Sequence, residues 1–421
     1  MSLAKIRERK IYQLLAARAE GLPLLHCMGS TLYSVLFGLP AIFKAKSAGQ
    51  VLRWFRGGRK SVVFFCAIPS HYQNIIGIPA ALKLARPDLN VIVIAKFTQS
   101  ECSIGDKENV PVIYGLSEYS ARWFRADLFA TAWVGFSRCA APMGSRSIHM
   151  LHSLVGVEGV YQAHHFDSCD YVFCASAEQE LDFRKLAHKR NLTNLNIVRG
   201  GYPKLDLQIE QSSAYEFAGP PTIVYAPTLV YSVNEGLATL VSHGAHVIQM
   251  LLNHGFRVVF RPHPISFNSQ LERDAIHDIC GRFASDTLFS LDTSKNYTGT
   301  YSSVTLMITD LSGTGFTFAL SQGRPAIFFA PNEEAEAGLD GVHFRDRERI
   351  GRIVRNIDDL VPCIEELLKN MPEYSEQIVR YRDETIFNVG RSREAFVEAV
   401  GAILEGKESP LIQSMKMPDN A

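Results

Sequence analysis

The stretch Met307-Ile-Thr-Asp-Leu-Ser-Gly-Thr-Gly-Phe-Thr-Phe-Ala-Leu320 decides the class of fold. An apolar run of strand length ends in Asp310, passes through a turn of Ser, Gly and Thr, and continues as an apolar helix. That order is one β/α unit of a parallel sheet. A parallel strand is buried on both faces and reads as a continuous hydrophobic run, as Val304–Thr309 does. At the turn, backbone N–H groups open at a helix N-terminus beside the hydroxyls of Ser312 and Thr314, while Gly313 and Gly315 let the backbone come close to a ligand. Such a turn suits a diphosphate. Capping of the helix by Ser or Thr is the plainer reading of the same residues. Asp310 either fixes the turn by accepting backbone N–H bonds or touches a ligand hydroxyl, and the fixing role is the expected one.

Working outward, the same pattern recurs along the chain. Runs at Val62–Cys66, Val91–Ala95, Pro111–Tyr114, Leu128–Ala132, Ser147–Leu151, Tyr171–Cys174 and Asn196–Val198 precede a polar stretch that ends at Gly219-Pro-Pro221. Further runs follow at Thr222–Ala226, Arg257–Phe260, Thr287–Ser290 and Pro325–Phe329. The expectation is an α/β protein of two Rossmann-like parallel-sheet domains facing a cleft. An N-terminal basic, apolar helical segment over 1–60 comes first, then one domain over 61–206, a linker over 207–221, a second domain over 222–357, and C-terminal helices and tail over 358–421. Ligands in such sheets bind beyond the carboxyl ends of the strands.

Composition narrows the function. Lys plus Arg and Asp plus Glu each number 43 in 421 residues, so the whole molecule offers no electrostatic case for nucleic acid. The charge is unevenly spread: residues 1–60 carry eleven basic side chains against Glu8 and Glu20, a net +9. A basic end on an acidic body points to an anionic partner, here an anionic membrane surface. Gly21–Phe43 holds no Asp, Glu, Lys or Arg over 23 residues, long enough for a bilayer. Pro23, His26, Gly29, Gly38 and Pro40 dilute it, so a buried or interfacial helix is expected rather than a span. No secretory signal is read, and the eight cysteines contain no C-x-x-C pair, which fits neither a disulfide framework nor a zinc site. The expected location is cytoplasmic, peripheral on the inner face of the cell membrane.

Two further groups carry chemistry. Arg257-Val-Val-Phe-Arg-Pro-His-Pro264 places Arg261 and His263 just past a strand's carboxyl end, where two prolines stiffen the exit. A guanidinium and an imidazole held there suit a transferring phosphoryl group. In Ser147-Ile-His-Met-Leu-His-Ser-Leu-Val-Gly-Val-Glu-Gly159, His149 lies within the run and reads as packed, whereas His152 heads the loop and is the candidate general base. His164 and His165 read as surface residues, since no third ligand is spaced for a metal. No metal site and no obligatory cofactor is read, although a divalent ion could accompany a diphosphate.

Gly201-Tyr-Pro-Lys-Leu-Asp206, Val224-Tyr-Ala-Pro-Thr228, Arg261-Pro-His-Pro264 and Ile308-Thr-Asp-Leu-Ser-Gly-Thr314 occur in an order and spacing that resembles the CDP-glycerol glycerophosphotransferase family, of the teichoic-acid polymerase type. The resemblance implies a GT-B architecture, a CDP-alcohol donor held mainly by the C-terminal domain, and peripheral membrane attachment. It also implies that His152 serves as base, His263 as a second essential histidine, and Ser312 with its turn as diphosphate binder. The chain departs from the family's usual residues at Ser153, Gly313 and Thr317, two of them on the ligand-facing helix. The expected function is transfer of a polyol phosphate from a CDP-alcohol to a hydroxyl of a glycan or lipid-linked acceptor, with release of CMP. The alternatives are a GT-B glycosyltransferase using a nucleotide sugar, and a non-catalytic nucleotide- or glycan-binding subunit.

Overall fold

The structure is a computed structural model. It describes the chain except residues 1–33, 39, 40, 42–57, 134, 137, 139, 140, 152, 153, 155, 156, 158–160, 213–219, 231–235, 295, 296, 312, 337–340 and 416–421. In chain order its strands are β1 (Ser61–Cys66), β2 (Asn90–Ala95), β3 (Val112–Tyr114), β4 (Leu128–Thr131), β5 (Arg146–Met150), β6 (Tyr171–Cys174) and β7 (Asn196–Arg199). They continue as β8 (Thr222–Tyr225), β9 (Arg257–Phe260), β10 (Phe289–Leu291), β11 (Leu306–Thr309), β12 (Ala326–Phe329), β13 (Gly351–Val354) and β14 (Ile412–Ser414).

The described residues form two compact units. One takes those of 1–152, 159–204 and 391–421, the other those of 153–158 and 205–390. In the first unit the sheet order is β14-β7-β6-β5-β4-β1-β2-β3. β1 is the pivot: it pairs in parallel with β2 on one side, Val63 opposite Ile92, and with β4 on the other, Val63 opposite Phe129. All six residues of β1 are buried, as a strand covered by helices on both faces requires. Each fully buried Phe or Val there contributes about 1.5–3 kcal/mol of burial free energy. β14 is the departure from parallel pairing, lying antiparallel to β7 with Ile412 opposite Val198.

The helix Ala177–Arg190 shows how local sequence sets the ends. The Ser176 hydroxyl accepts from the Gln179 N–H at 3.2 Å, and Asn191 closes the helix at φ 54°. Both follow the usual chemistry of helix caps. The helix Ser392–Glu405 packs back on the first unit, its Phe396 ring 5.8 Å from Phe64 and 5.5 Å from Phe173. Lys60 and Arg146 donate to its last carbonyls, those of Leu404 and Ile403.

The second unit holds a fully parallel sheet, ordered β10-β9-β8-β11-β12-β13. Its pivot is β8, between β9 and β11. Below it the helix Leu240–Asn253 presents Val247, Ile248 and Leu251 to Ile223 and Tyr225. Both sheets therefore reverse strand order beside their first strand, between β1 and β4 and between β8 and β11. A threonine marks each reversal: the Thr131 hydroxyl donates to the Phe65 carbonyl at 3.0 Å, and the Thr309 hydroxyl to that of Ala226 at 2.7 Å. Crevices at such switch points are where open α/β sheets bind ligands.

All twelve strands expected from the apolar runs are present. The two that were not expected, β13 and β14, are short outer strands with exposed residues at Arg352 and Ser414, so neither reads as a continuous run. Most of the 1–60 segment lies outside the described residues; within it, a turn at Ser34–Gly38 is held by Ser34 donating to the Tyr119 carbonyl at 2.7 Å. Among the described residues no helix is long and apolar enough to cross a membrane.

Candidate functional site

The second unit's switch point is organised by Asp310, the residue that follows β11. Its carboxylate is buried, and one oxygen accepts from the backbone N–H of Thr228 at 2.9 Å and of Leu311 at 2.8 Å. The other accepts from the Thr239 N–H at 2.9 Å and the Thr239 hydroxyl at 3.0 Å. Four bonds fill the acceptor sites of a carboxylate. Asp310 is thus a strut that ties both ends of the β8 exit loop, at 228 and 239, to the start of the turn after β11. Burial pushes its carboxyl above the ordinary carboxylate value even though these hydrogen bonds pull the other way. The Tyr225 hydroxyl, hydrogen-bonded to Thr239 at 3.0 Å, extends the network into the core.

The turn leads into the helix Gly313–Gln322, which begins at Gly313 and is followed by Gly323 at φ 64°. Ser312, expected to bind the diphosphate, lies outside the described residues. Thr314 is near the start of the helix, and its side chain hydrogen-bonds the Tyr301 hydroxyl. Gly315 sits against the sheet. A β-carbon there would meet Phe328 at 2.8 Å and the Thr309 methyl at 3.1 Å, so this glycine lets the helix lie close on β11 and β12, a packing role.

Arg261 follows β9, and its N–H continues the ladder to the Tyr225 carbonyl at 2.9 Å. Its guanidinium is held by Asp292 and by Ser294, whose hydroxyl accepts at 3.0 Å and whose carbonyl accepts at 2.8 Å. Asp292 follows β10. Burial alone would raise its carboxyl, but donors from Thr300, Ser294 and Arg261 hold it down to about 2. Tyr297 lies under the guanidinium, 5.8 Å from its carbon, and stands 4.6 Å from Tyr301, ring centre to ring centre. The line Arg261, Tyr297, Tyr301, Thr314 joins the exit of β9 to the first turn of the 313–322 helix.

His263 heads the short turn Pro264–Asn268, where its Nδ1 accepts from the Ile265 N–H at 3.2 Å. With Nδ1 an acceptor, the neutral ring carries its proton on Nε2 and is a donor there. Burial pushes its pKa below the ordinary histidine value; Glu272 partly opposes this and Arg261 adds to it. Glu272 is buried under this turn, accepting from the Ser266 hydroxyl at 2.8 Å and the Val230 N–H at 3.2 Å.

In the first unit, His152 lies outside the described residues. His149 is fully buried in β5, edge-to-face with Phe166 at 5.3 Å, the packed role read from its position. His164 and His165 meet edge-to-face at 4.7 Å, with His164 exposed. Among the described residues no group of three or more His, Cys, Asp or Glu is arranged to hold a metal ion.

The second unit therefore brings Arg261, His263, Asp310, Gly313, Thr314 and Gly315 to the carboxyl ends of β9 and β11, the strands that flank β8. Sequence reading missed Asp292, Thr239 and the Tyr297–Tyr301 pair. Asp292 carried a signal, since it follows an apolar run just as Asp310 does; the tyrosines carried none. Chemically, a cation and a neutral imidazole donor follow β9 and a helix N-terminus follows β11, on either side of β8, and these are the kinds of group that suit a diphosphate.

Residues 154–401 match the family described as CDP-Glycerol:Poly(glycerophosphate) glycerophosphotransferase. No curated protein matches the chain in sequence. Among solved structures, a variant of the wall teichoic acid polymerase TagF is similar at 14% identity, covering 96% of this chain and 99% of that one with a TM-score of 0.59. Another TagF variant, soaked with CDPG, is similar at 15% identity over 89% of this chain and 98% of that one, with a TM-score of 0.55. The UDP-GlcNAc 2-epimerase from Methanocaldococcus jannaschii is similar at 11% identity over 81% and 99%, with a TM-score of 0.53. At these identities the likeness is one of fold, and the two Rossmann-type units make that fold GT-B-like.

Proposed function

The chain belongs to the CDP-glycerol:poly(glycerophosphate) glycerophosphotransferase family, and from that premise we propose that it moves a polyol phosphate from a CDP-alcohol donor to a hydroxyl of a glycan or lipid-linked acceptor, releasing CMP. It is a transferase of the glycerophosphotransferase type; the choice of donor and acceptor is our reading. The observation that carries it is the Asp310-tied turn opening onto the 313–322 helix, with Arg261 and His263 following β9 on the other side of β8.

In this reading the second unit binds the donor. Its diphosphate lies at the N-terminus of the 313–322 helix, where Ser312 adds a hydroxyl and the peptide N–H groups add partial positive charge. Arg261 faces the phosphoryl group that is transferred. His263, neutral and protonated on Nε2, donates a hydrogen bond to it. His152, the base that the family resemblance implies, takes the proton of the acceptor hydroxyl, whose oxygen attacks the polyol-bearing phosphorus in line. The phosphorus–oxygen bond to CMP breaks, and CMP leaves with the electron pair. Such a transfer asks the protein mainly for positioning and charge stabilisation, and no covalent enzyme intermediate is needed. The +9 segment over 1–60 supports attachment to an anionic bilayer, as each basic residue near such a surface is worth about 1 kcal/mol.

Incubation with CDP-glycerol, CDP-ribitol and UDP-sugars, with release of CMP or UDP followed by chromatography, tests the donor. CMP from a CDP-alcohol in the presence of an acceptor is the expected product. Release of UDP alone would replace this reading with a glycosyltransferase, and binding of a nucleotide without turnover would replace it with a carrier subunit.

A further inference from the structure

The guanidinium of Arg261 is gripped from one side only. Its Nη1 donates to Asp292 Oδ2 and to the Ser294 hydroxyl, and its Nη2 to the Ser294 carbonyl. None of the described residues takes the Nε–H. The grip is itself braced: the Asp292 N–H donates to the Phe260 carbonyl at 2.8 Å, Oδ1 accepts from the Ser294 N–H at 2.8 Å, and Oδ2 also accepts from the Thr300 hydroxyl. Only 10% of the Arg261 side chain and 15% of that of Asp292 are exposed.

We propose that Asp292 is a positioning residue for donor binding: it fixes the plane of the Arg261 guanidinium so that the Nε edge meets a phosphate oxygen of the donor. This rests on the reading of Arg261 given above. Two features argue that the pair serves orientation rather than cross-linking alone. Asp292 and Ser294 hold the two terminal nitrogens, which restrains the swing of the planar group, and a preset fork loses less entropy on meeting phosphate. The pair also stands on the Tyr297–Tyr301 line that ends at Thr314 in the first turn of the 313–322 helix. A lone cation so far removed from water would be costly, and Asp292 balances it until an anion arrives.

Every bond to the Asp292 side chain comes from a donor, so Asp292→Asn must turn an amide N–H₂ toward one of them. The test is a double-mutant cycle of Asp292→Asn and Arg261→Ala, read as affinity for inorganic pyrophosphate and for CDP by calorimetry, with melting curves confirming that each variant folds. The expected result is about a tenfold loss of pyrophosphate affinity for Asp292→Asn and no further loss when it is added to Arg261→Ala. An equal loss in both backgrounds would make Asp292 an ordinary scaffold residue and overturn the proposal, as would wild-type affinity in Asp292→Asn or no pyrophosphate binding by the wild type. Failure of the donor reading is seen separately, as wild-type protein that binds pyrophosphate yet releases no CMP from any CDP-alcohol.

Discussion

Gly315 lies so close to Phe328 that a β-carbon on it would stand 2.8 Å from Cε1 and 2.9 Å from Cζ of the ring. The ring is buried on β12 and is itself packed against Phe316, so neither side can yield cheaply. Gly315→Ala is expected to destabilise the protein by about 1–3 kcal/mol, the usual cost of overpacking. Urea denaturation followed by circular dichroism measures it. Wild-type stability with reduced CDP affinity would instead assign Gly315 to the ligand.

Asp310→Asn should be more damaging than its small change in volume suggests. One of the two oxygens becomes an N–H₂ group that faces either the Thr228 and Leu311 donors or the Thr239 donors. A buried donor left without an acceptor costs about 1–3 kcal/mol. The same variant should bind CDP more weakly, because the turn before the 313–322 helix is no longer tied to Thr228 and Thr239. Denaturation and calorimetry on one preparation check both effects; unaltered stability would contradict the strut.

His263 sets a pH dependence whose sign is fixed by its depressed pKa. Below the ordinary value of 6.5 the unfolded chain takes up the proton first, so stability contributed by the neutral ring is full above 6.5 and falls as pH drops toward the folded value. Protonation also turns Nδ1 into a donor and breaks its bond from the Ile265 N–H. An imidazole proton resonance titrating with a midpoint below 6.5, lost in His263→Asn, is the expected signature; a midpoint above 6.5 would reverse the argument.

His152→Ala is expected to lower kcat by two to four orders of magnitude, the usual worth of a positioned base, while CDP affinity stays near wild type. Turnover assays with the donor identified by the screen decide it. Near-normal turnover would remove His152 from the mechanism.

Lys60→Ala and Arg146→Ala each remove a cation from the carboxyl end of the helix Ser392–Glu405. A favourable charge there is worth about 0.3–2 kcal/mol. Amide hydrogen exchange should accelerate in that helix and around Phe64 and Phe173, with no change across β8 to β12. Uniform acceleration in both units would show that the helix is not a local fastener.

Much of this fold was written in its apolar runs, because parallel strands must be hydrophobic on both faces. Val62-Val-Phe-Phe and Leu306-Met-Ile leave no other reading, whereas Gly351-Arg-Ile-Val and Ile412-Gln-Ser, at or near sheet edges, need only half a covering and give no such signal. At the site, Arg261 and Asp310 stood out because each immediately follows a run, and His263 because prolines bracket it just beyond one. The division of labour among them was not legible. That Asp310 spends all its lone pairs on backbone and Thr239, or that Gly315 serves Phe328, depends on residues up to 82 positions apart brought together only by sheet order. Nor does the sequence around Thr314 announce the Tyr301 hydroxyl that its side chain meets.

The first unit draws on residues 391–421 as well as on 1–152 and 159–204, and this has a consequence during biosynthesis. A ribosome finishes the contiguous stretch 205–390 before it delivers Phe396, without which Phe64 and Phe173 lack their covering. The later-encoded unit can therefore mature first, while the earlier one waits with its sheet partly bare. A premature stop near 390 would therefore spoil the unit that precedes it along the chain.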